Sequence, residues 1–206
     1  YRNADLIITI SEDMKNVISE RGIDHSGIHV VRNWVDSGHI RPVAREKNLL
    51  FDELELSREL FYVTYAGNLG YLQGIDIILD AARMLKNNSE IMFVIFGNGS
   101  DEARIRERIK NEGMTNVRLF PLQDSNRIAE VYSLGDLSVV SCKSGTSRIG
   151  MPSKTGSIMA AGTGIVASFD MESELAEIIR CADCGICVPA EDTLSFASAI
   201  EKYYRN

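Results

Sequence analysis

The chain has 206 residues, with 22 lysines and arginines against 29 aspartates and glutamates, a formal net charge of −7. Hydrophobic residues make up 45% and charged residues 25%, the balance of a soluble globular domain. Four prolines and no low-complexity tract exclude collagen-like and mucin-like chains, no apolar run reaches the roughly 20 residues of a bilayer span, and the acidic balance excludes a coat for nucleic acid.

The first apolar run, residues 6–10, reads as a strand already in progress, as in a piece of a longer protein. Ser11 fits a helix N-cap, with the helix running to about Arg21 and Gly22 closing it. A short strand follows at residues 28–31. Between about Asp36 and Leu60 the pattern weakens into a connector with a short helix over 48–56.

A regular alternation begins at Leu60. Residues 61–66 predict a strand, Gly67 to Gly74 a glycine-rich turn, and 75–86 a helix with Ile75, Ile78, Leu79, Ala82 and Leu85 on one face. Strands at 91–96, 117–120, 137–141, 165–168 and 186–188 follow. Helices are expected over 101–112 and 125–134, up to Ala161-Gly162, from Glu172 and from Thr193, and a long loop over 142–152. Strands separated by helices predict an α/β fold, a Rossmann-like doubly wound parallel sheet.

In such a sheet a ligand sits beyond the carboxyl ends of the strands, where the strand order switches. Gly67-Asn68-Leu69-Gly70 and Gly97-Asn98-Gly99 occupy that place after successive strands, and their amides could meet a phosphate. Neither completes a dinucleotide fingerprint or a P-loop. The loop from Lys143 to Lys154 is polar and carries Lys143, Arg148 and Lys154. A cation opening a helix opposes its dipole by roughly 0.3–1 kcal/mol, a conflict that an anionic ligand would remove at Lys154.

Cys181, Cys184 and Cys187 have the spacing of an iron–sulfur run, but that run needs a fourth cysteine and only the distant Cys142 is left. His25, His29 and His39 lie near the other end of the chain. The cysteines read as a helix end, a turn and a strand residue, and no metal site is expected.

Three stretches together resemble the donor-binding half of a GT-B glycosyltransferase of the retaining family-4 type. They are Val31-Arg32-Asn33-Trp34-Val35-Asp36, Tyr65 through Gly74, and Met151-Pro152-Ser153-Lys154 running to Met159-Ala160-Ala161-Gly162. The glycine loop with Gln73-Gly74, joined to Pro-Ser-Lys, is similar to the subgroup that moves N-acetylated amino sugars in surface-polysaccharide synthesis. The resemblance implies that residues 1–36 are a remnant of the acceptor domain and that 37–206 form the nucleotide-sugar domain. It also implies that most of the acceptor domain, with the residues that position the acceptor, lies outside this chain; the catalytic residues stay unknown and the fragment alone should bind donor weakly without turnover.

By this resemblance Gly67, Asn68, Leu69, Gly70, Gln73, Arg148, Ser153, Lys154, Ser157 and Glu174 would contact the donor. Phe96, Gly97, Asn98, Gly99, Phe120 and Leu122 would line its base pocket, largely through backbone. Asn68 and Gln73 stand where the family carries an arginine and a lysine, so Lys154 and Arg148 are expected to supply charge instead. Ile149 and Ser157 stand where it carries two glutamates, and Ser157 or Glu174 is expected to take the ribose. With no Asp-x-Asp pair, no obligatory metal or other cofactor is expected.

The partners implied are a UDP-linked sugar and a sugar or lipid-linked acceptor, with self-association through residues 1–36 if they do not dock on the rest. No signal-peptide pattern opens the chain, and the expected location is the cytoplasm, with the full-length protein expected at the inner membrane face. A sugar-nucleotide 2-epimerase would want carboxylates and histidines in the cleft, and a receiver module would want acidic residues at the strand ends; the loops carry neither.

Overall fold

The computed structural model describes residues 1 and 3–205 and opens with a small βαβ unit. β1 (Ile7–Thr9) and β2 (Ile28–Val30) pair in parallel, and α1 (Glu12–Ser19) crosses between them. Ser11 caps α1 as the sequence predicts, its hydroxyl accepting the Met14 N–H at 3.1 Å. Ile7, Ile18 and Ile28 form this unit's own core, while Leu6, Ile8 and Val31 are exposed. The connector's helix, α2 (Leu50–Glu53), is shorter than expected. It buries Leu50 and Phe51, and the Phe51 ring meets Tyr62 edge-on at 5.6 Å.

The main sheet follows the predicted alternation. β3 (Phe61–Asn68), α3 (Asp76–Met84), β4 (Ile91–Asn98), α4 (Glu102–Asn111) and β5 (Val117–Phe120) build outward. The chain then returns through α5 (Ile128–Leu134), β6 (Leu137–Ser141), α6 (Lys154–Ala160), β7 (Gly164–Ser168), α7 (Glu174–Cys181), β8 (Gly185–Val188) and α8 (Thr193–Arg205). All six strands are parallel in the order β5-β4-β3-β6-β7-β8, with cores on both faces. That double burial is why the central strands read as unbroken apolar runs. Among the described residues no helix is long and apolar enough to cross a membrane.

Two boundaries differ for physical reasons. β3 and β4 run on through their glycines, with Gly67 beside Gly97 and Asn68 beside Asn98, because both loops stay extended and continue the ladder. α7 begins at Glu174 rather than Glu172, because Ser173 caps it by accepting the Ala176 N–H at 3.3 Å.

The strand order reverses between β3 and β6, and there the two pair only at Val63 with Leu137 and Thr64 with Ser138. Thr64 Oγ1 donates to the Leu137 carbonyl at 3.1 Å and lies 2.9 Å from Ser138 Oγ, closing the last shared rung. Beyond it the strands part and leave a crevice at their carboxyl ends.

Residues 1–36 dock on this body rather than standing free. Glu174 Oε2 accepts the Glu12 N–H at 2.6 Å, and Asp13 Oδ2 accepts the Glu174 N–H at 2.8 Å, so α1 and α7 cap one another. Arg32 pairs with the same Glu174 at 2.7 Å, and Arg148 pairs with Glu20 at 2.6 Å. Glu174→Ala strands the Glu12 N–H and the Arg32 guanidinium, a loss of about 1–2 kcal/mol at this joint. Amide exchange is expected to quicken across residues 7–19 and 28–30 while β3 to β7 keep their protection. Unchanged exchange in the N-terminal unit would show that the reciprocal caps do not hold it.

Candidate functional site

The crevice at the switch point opens into a cleft of about 690 Å³. Its walls are the end of β3, the loop after β6 and the start of α6, with Trp34 at the rim. This is where a doubly wound sheet takes its ligand. Gly67, Asn68, Gln73, Ser153, Lys154 and Ser157 all line it, so the glycine loop and the Pro-Ser-Lys segment meet as expected.

Gly67 has φ 149° and passes so close to α6 that a Cβ there would lie 2.8 Å from Lys154 Nζ. Gly74, at φ 59°, brings the loop's other end against β6, where a Cβ would meet the Cys142 carbonyl carbon at 3.2 Å. The loop is tied down there, Ser141 Oγ donating to the Gln73 carbonyl at 2.7 Å and the Lys143 N–H to the Leu72 carbonyl at 3.0 Å. Asn68 Nδ2 and Gln73 Oε1 lie 3.5 Å apart, two neutral amides facing each other where charges were expected.

Lys154 is half-buried, with Nζ 3.8 Å from the centroid of the Tyr65 ring. Among the described residues it has no carboxylate partner, and it is the one cation lining the cleft, which holds no aspartate or glutamate. Burial pushes its amine down to about 7. The loop between β6 and α6 is preorganised by two carboxylates. Asp170 accepts from the Gly145 N–H and from Ser147 Oγ, and Glu191 accepts from Lys143 Nζ at 2.7 Å and the Ser144 N–H at 3.2 Å. Hydrogen bonds from Ser147 and the Gly145 N–H hold the Asp170 carboxyl below its ordinary value against its partial burial.

Other expected residues lie elsewhere. Arg148 points to Glu20 and does not line the cleft, because that carboxylate on α1 claims its guanidinium. Glu174 is taken by Arg32 and the Glu12 N–H, so it cannot offer a ribose the same oxygens. Leu69 is fully buried, and Gly70 packs against Gln73 just behind the wall. Phe96 is also fully buried and stacks on Phe120 at 5.8 Å, as a core pair. Gly97 and Gly99 are filled from the other side, a Cβ on either coming within 2.6 Å of the 67–69 backbone. Asn98 and Leu122 are exposed outside the cleft.

Sequence reasoning missed Trp34, Tyr65 and Tyr132 as site residues. Trp34 is 88% exposed at the rim, and a lone tryptophan just before the connector was the available signal. Tyr65 and Tyr132 gave none, since aromatic residues in apolar runs are ordinarily core.

Burying an unpaired ammonium destabilises the fold, and the pH dependence of that cost identifies it. Below pH about 7 the ammonium is present in both folded and unfolded chains, so the full penalty applies. Between there and 10.5 folding releases the proton, and the penalty fades as pH rises. Lys154→Met is therefore expected to raise resistance to urea by about 1–3 kcal/mol at about pH 6, with a gain that shrinks towards about pH 10. An equal gain at both would contradict a buried, unpaired amine.

Comparisons with known proteins bear on the family and the fold. A family model described as "Glycosyl transferases group 1" matches residues 61–206. The Escherichia coli K12 protein WcaI, named as a colanic acid biosynthesis glycosyl transferase, is 27% identical over 202 residues, covering 97% of this chain and 49% of its own. WbjE of Pseudomonas aeruginosa, named as a glycosyltransferase, is 27% identical over 207 residues, covering 98% and 50%. This chain thus spans about half the length of both relatives. Among solved structures, Anabaena HepE in complex with UDP and glucose superposes with a TM-score of 0.85 at 16% identity, over 100% of this chain and 55% of that one. The sheet order, the cleft at its switch point and the matched region lead to one statement of kinship: this chain belongs to the group 1 glycosyl transferase family.

Proposed function

We propose that the chain is the donor-binding half of a retaining glycosyltransferase, which takes an N-acetylated amino sugar from a UDP-linked donor. The acceptor in this reading is a growing polysaccharide or a lipid-linked sugar, met by the other half of the protein at the cytoplasmic face of a membrane. The observation that carries it is Lys154, an unpaired amine in a cleft without carboxylates, directly beneath a glycine loop. HepE's complex with UDP and glucose and WcaI's name in colanic acid biosynthesis lend support from similar proteins.

The chemistry follows from charge. When the bond to the sugar breaks, negative charge grows on the leaving diphosphate, and donors already in place stabilise it without reorganising. Lys154 Nζ is one such donor. A second is the Asn68 N–H: Leu69 donates to the Asn98 carbonyl, so strand alternation turns the Asn68 peptide groups to the opposite edge, the one β6 has left. Ser153 and Ser157, on the same wall, offer hydroxyls to the ribose or sugar. Charge is met by the amine and amides, without a divalent ion. A 2-epimerase is disfavoured because no carboxylate or histidine lines the cleft among the described residues.

Calorimetric titration with UDP, GDP, ADP and NAD tests the reading. UDP-selective binding is expected, and Lys154→Ala should weaken it by about tenfold or more, the loss of one charge-assisted contact. Selective binding of NAD, or UDP binding indifferent to Lys154→Ala, would overturn it.

A further inference from the structure

Tyr65 belongs to the core by burial, at 1% exposed, yet it touches both parts of the proposed anion site. Its ring lies under Lys154 Nζ at 3.8 Å, and its hydroxyl donates to the Asn68 carbonyl at 2.8 Å. These are different contacts with different consequences. The face of an aromatic ring attracts an ammonium without neutralising it, so the amine's hydrogen-bonding positions stay available to an anion. A carboxylate in the same place would close the site. The hydroxyl, in turn, covers the one acceptor that the Asn68 peptide turns to the cleft edge, leaving its N–H as the group an anion meets.

We propose that Tyr65 is the positioning residue of this site: its ring holds the Lys154 amine without a counter-charge, and its hydroxyl sets the Asn68 peptide to donate to an incoming diphosphate. The inference rests on the reading of the cleft as a nucleotide-sugar site.

Nothing around the amine competes with this arrangement. Of the titratable groups around it, Tyr65 beneath the amine and, in the cleft wall, Tyr132 from α5 and Cys142 after β6 are held neutral by burial, Tyr132 pushed up to about 12 and Cys142 to about 11. On α6 the neighbours facing the cleft are Ser153 and Ser157, which carry no charge. Lys143 and Glu191 satisfy each other, and Asp170 is spent on Gly145 and Ser147. Arrival of a diphosphate therefore brings a proton to Lys154, and the ring sets how readily it does so.

The test is calorimetric titration of the whole chain with UDP-N-acetylglucosamine, whose diphosphate diester does not itself titrate near neutrality. Two buffers of different ionisation heat, over a range of pH, report proton uptake for the wild type, Tyr65→Phe and Tyr65→Leu. The wild type is expected to take up a proton on binding at about pH 8, above the depressed value of its amine. Tyr65→Phe keeps the ring and loses the tether, so affinity should fall about fivefold with proton uptake unchanged. Tyr65→Leu loses both, so affinity should fall by more than about tenfold and the midpoint of proton uptake should move to lower pH. Folded variants that bind like the wild type would overturn the proposal, as would Tyr65→Phe moving the midpoint as far as Tyr65→Leu. If Tyr65→Leu does not fold, Tyr65→Phe decides: unchanged affinity overturns the tether. Wild-type binding without proton uptake would overturn the inference and leave the nucleotide-sugar reading standing, whereas no binding at all would overturn both.

Discussion

Everything at the cleft depends on β3 and β6 separating after the rung that Thr64 shares with Ser138. Thr64 and Ser138 close that rung through their side chains, and the next peptide groups of β3 have no partner strand on that side. In the middle of a parallel sheet such unpaired groups would be costly, and a doubly wound fold tolerates them only where something else can satisfy them. Tyr65 satisfies the Asn68 carbonyl from within the chain. The loop 70–74, pinned to the end of β6, keeps the opening from collapsing. The cleft follows from the chain reversing its direction of build-up, and the glycines let the walls approach.

Two electrostatic effects act on Lys154, and their sizes decide which matters. The helix dipole at an exposed terminus is a matter of roughly 0.3–1 kcal/mol, and α6 is short. Withdrawal from water is the larger effect, because it takes the amine from 10.5 to about 7 with no opposing charge nearby. A lysine kept for stability would sit beside a carboxylate, as Lys143 does with Glu191. The contrast between two lysines at either end of one loop separates a residue that holds the loop from one left without a counter-charge.

That contrast also explains how far the sequence could be read. The strands and helices were legible because apolar runs alternate with helical spacing, and the glycine loop and Pro-Ser-Lys segment were legible because each sits between a strand and a helix. Direction was not legible for single charges. Arg148 and Lys154 stand in one basic loop, but only the tertiary fold brings Glu20 of α1 within 2.6 Å of Arg148. The engagement of the Glu174 carboxylate was hidden for the same reason, since Arg32 and the Glu12 N–H reach it from more than a hundred residues away. The Phe96 ring could not be assigned to wall or core because β4 is buried on both faces, where side-chain alternation no longer distinguishes them. Tyr65 hid behind that same ambiguity.

The N-terminal unit and the connector after it meet the cleft walls at two places. α1 and α7 cap each other, and the same N-terminal segment delivers Trp34 to the rim of the cleft and Val35 to a contact with Gly156 of α6, where a Cβ would lie 3.6 Å away. A shift of α1 therefore strains α7 and the first turn of α6 together, through hydrogen bonds at one end and packing at the other. Because the carboxylates of Asp13 and Glu174 serve as caps, tilting either helix opens a buried donor on the other, which favours a rigid joint over a graded hinge. The position of the N-terminal unit is thus mechanically linked to the wall that carries Lys154.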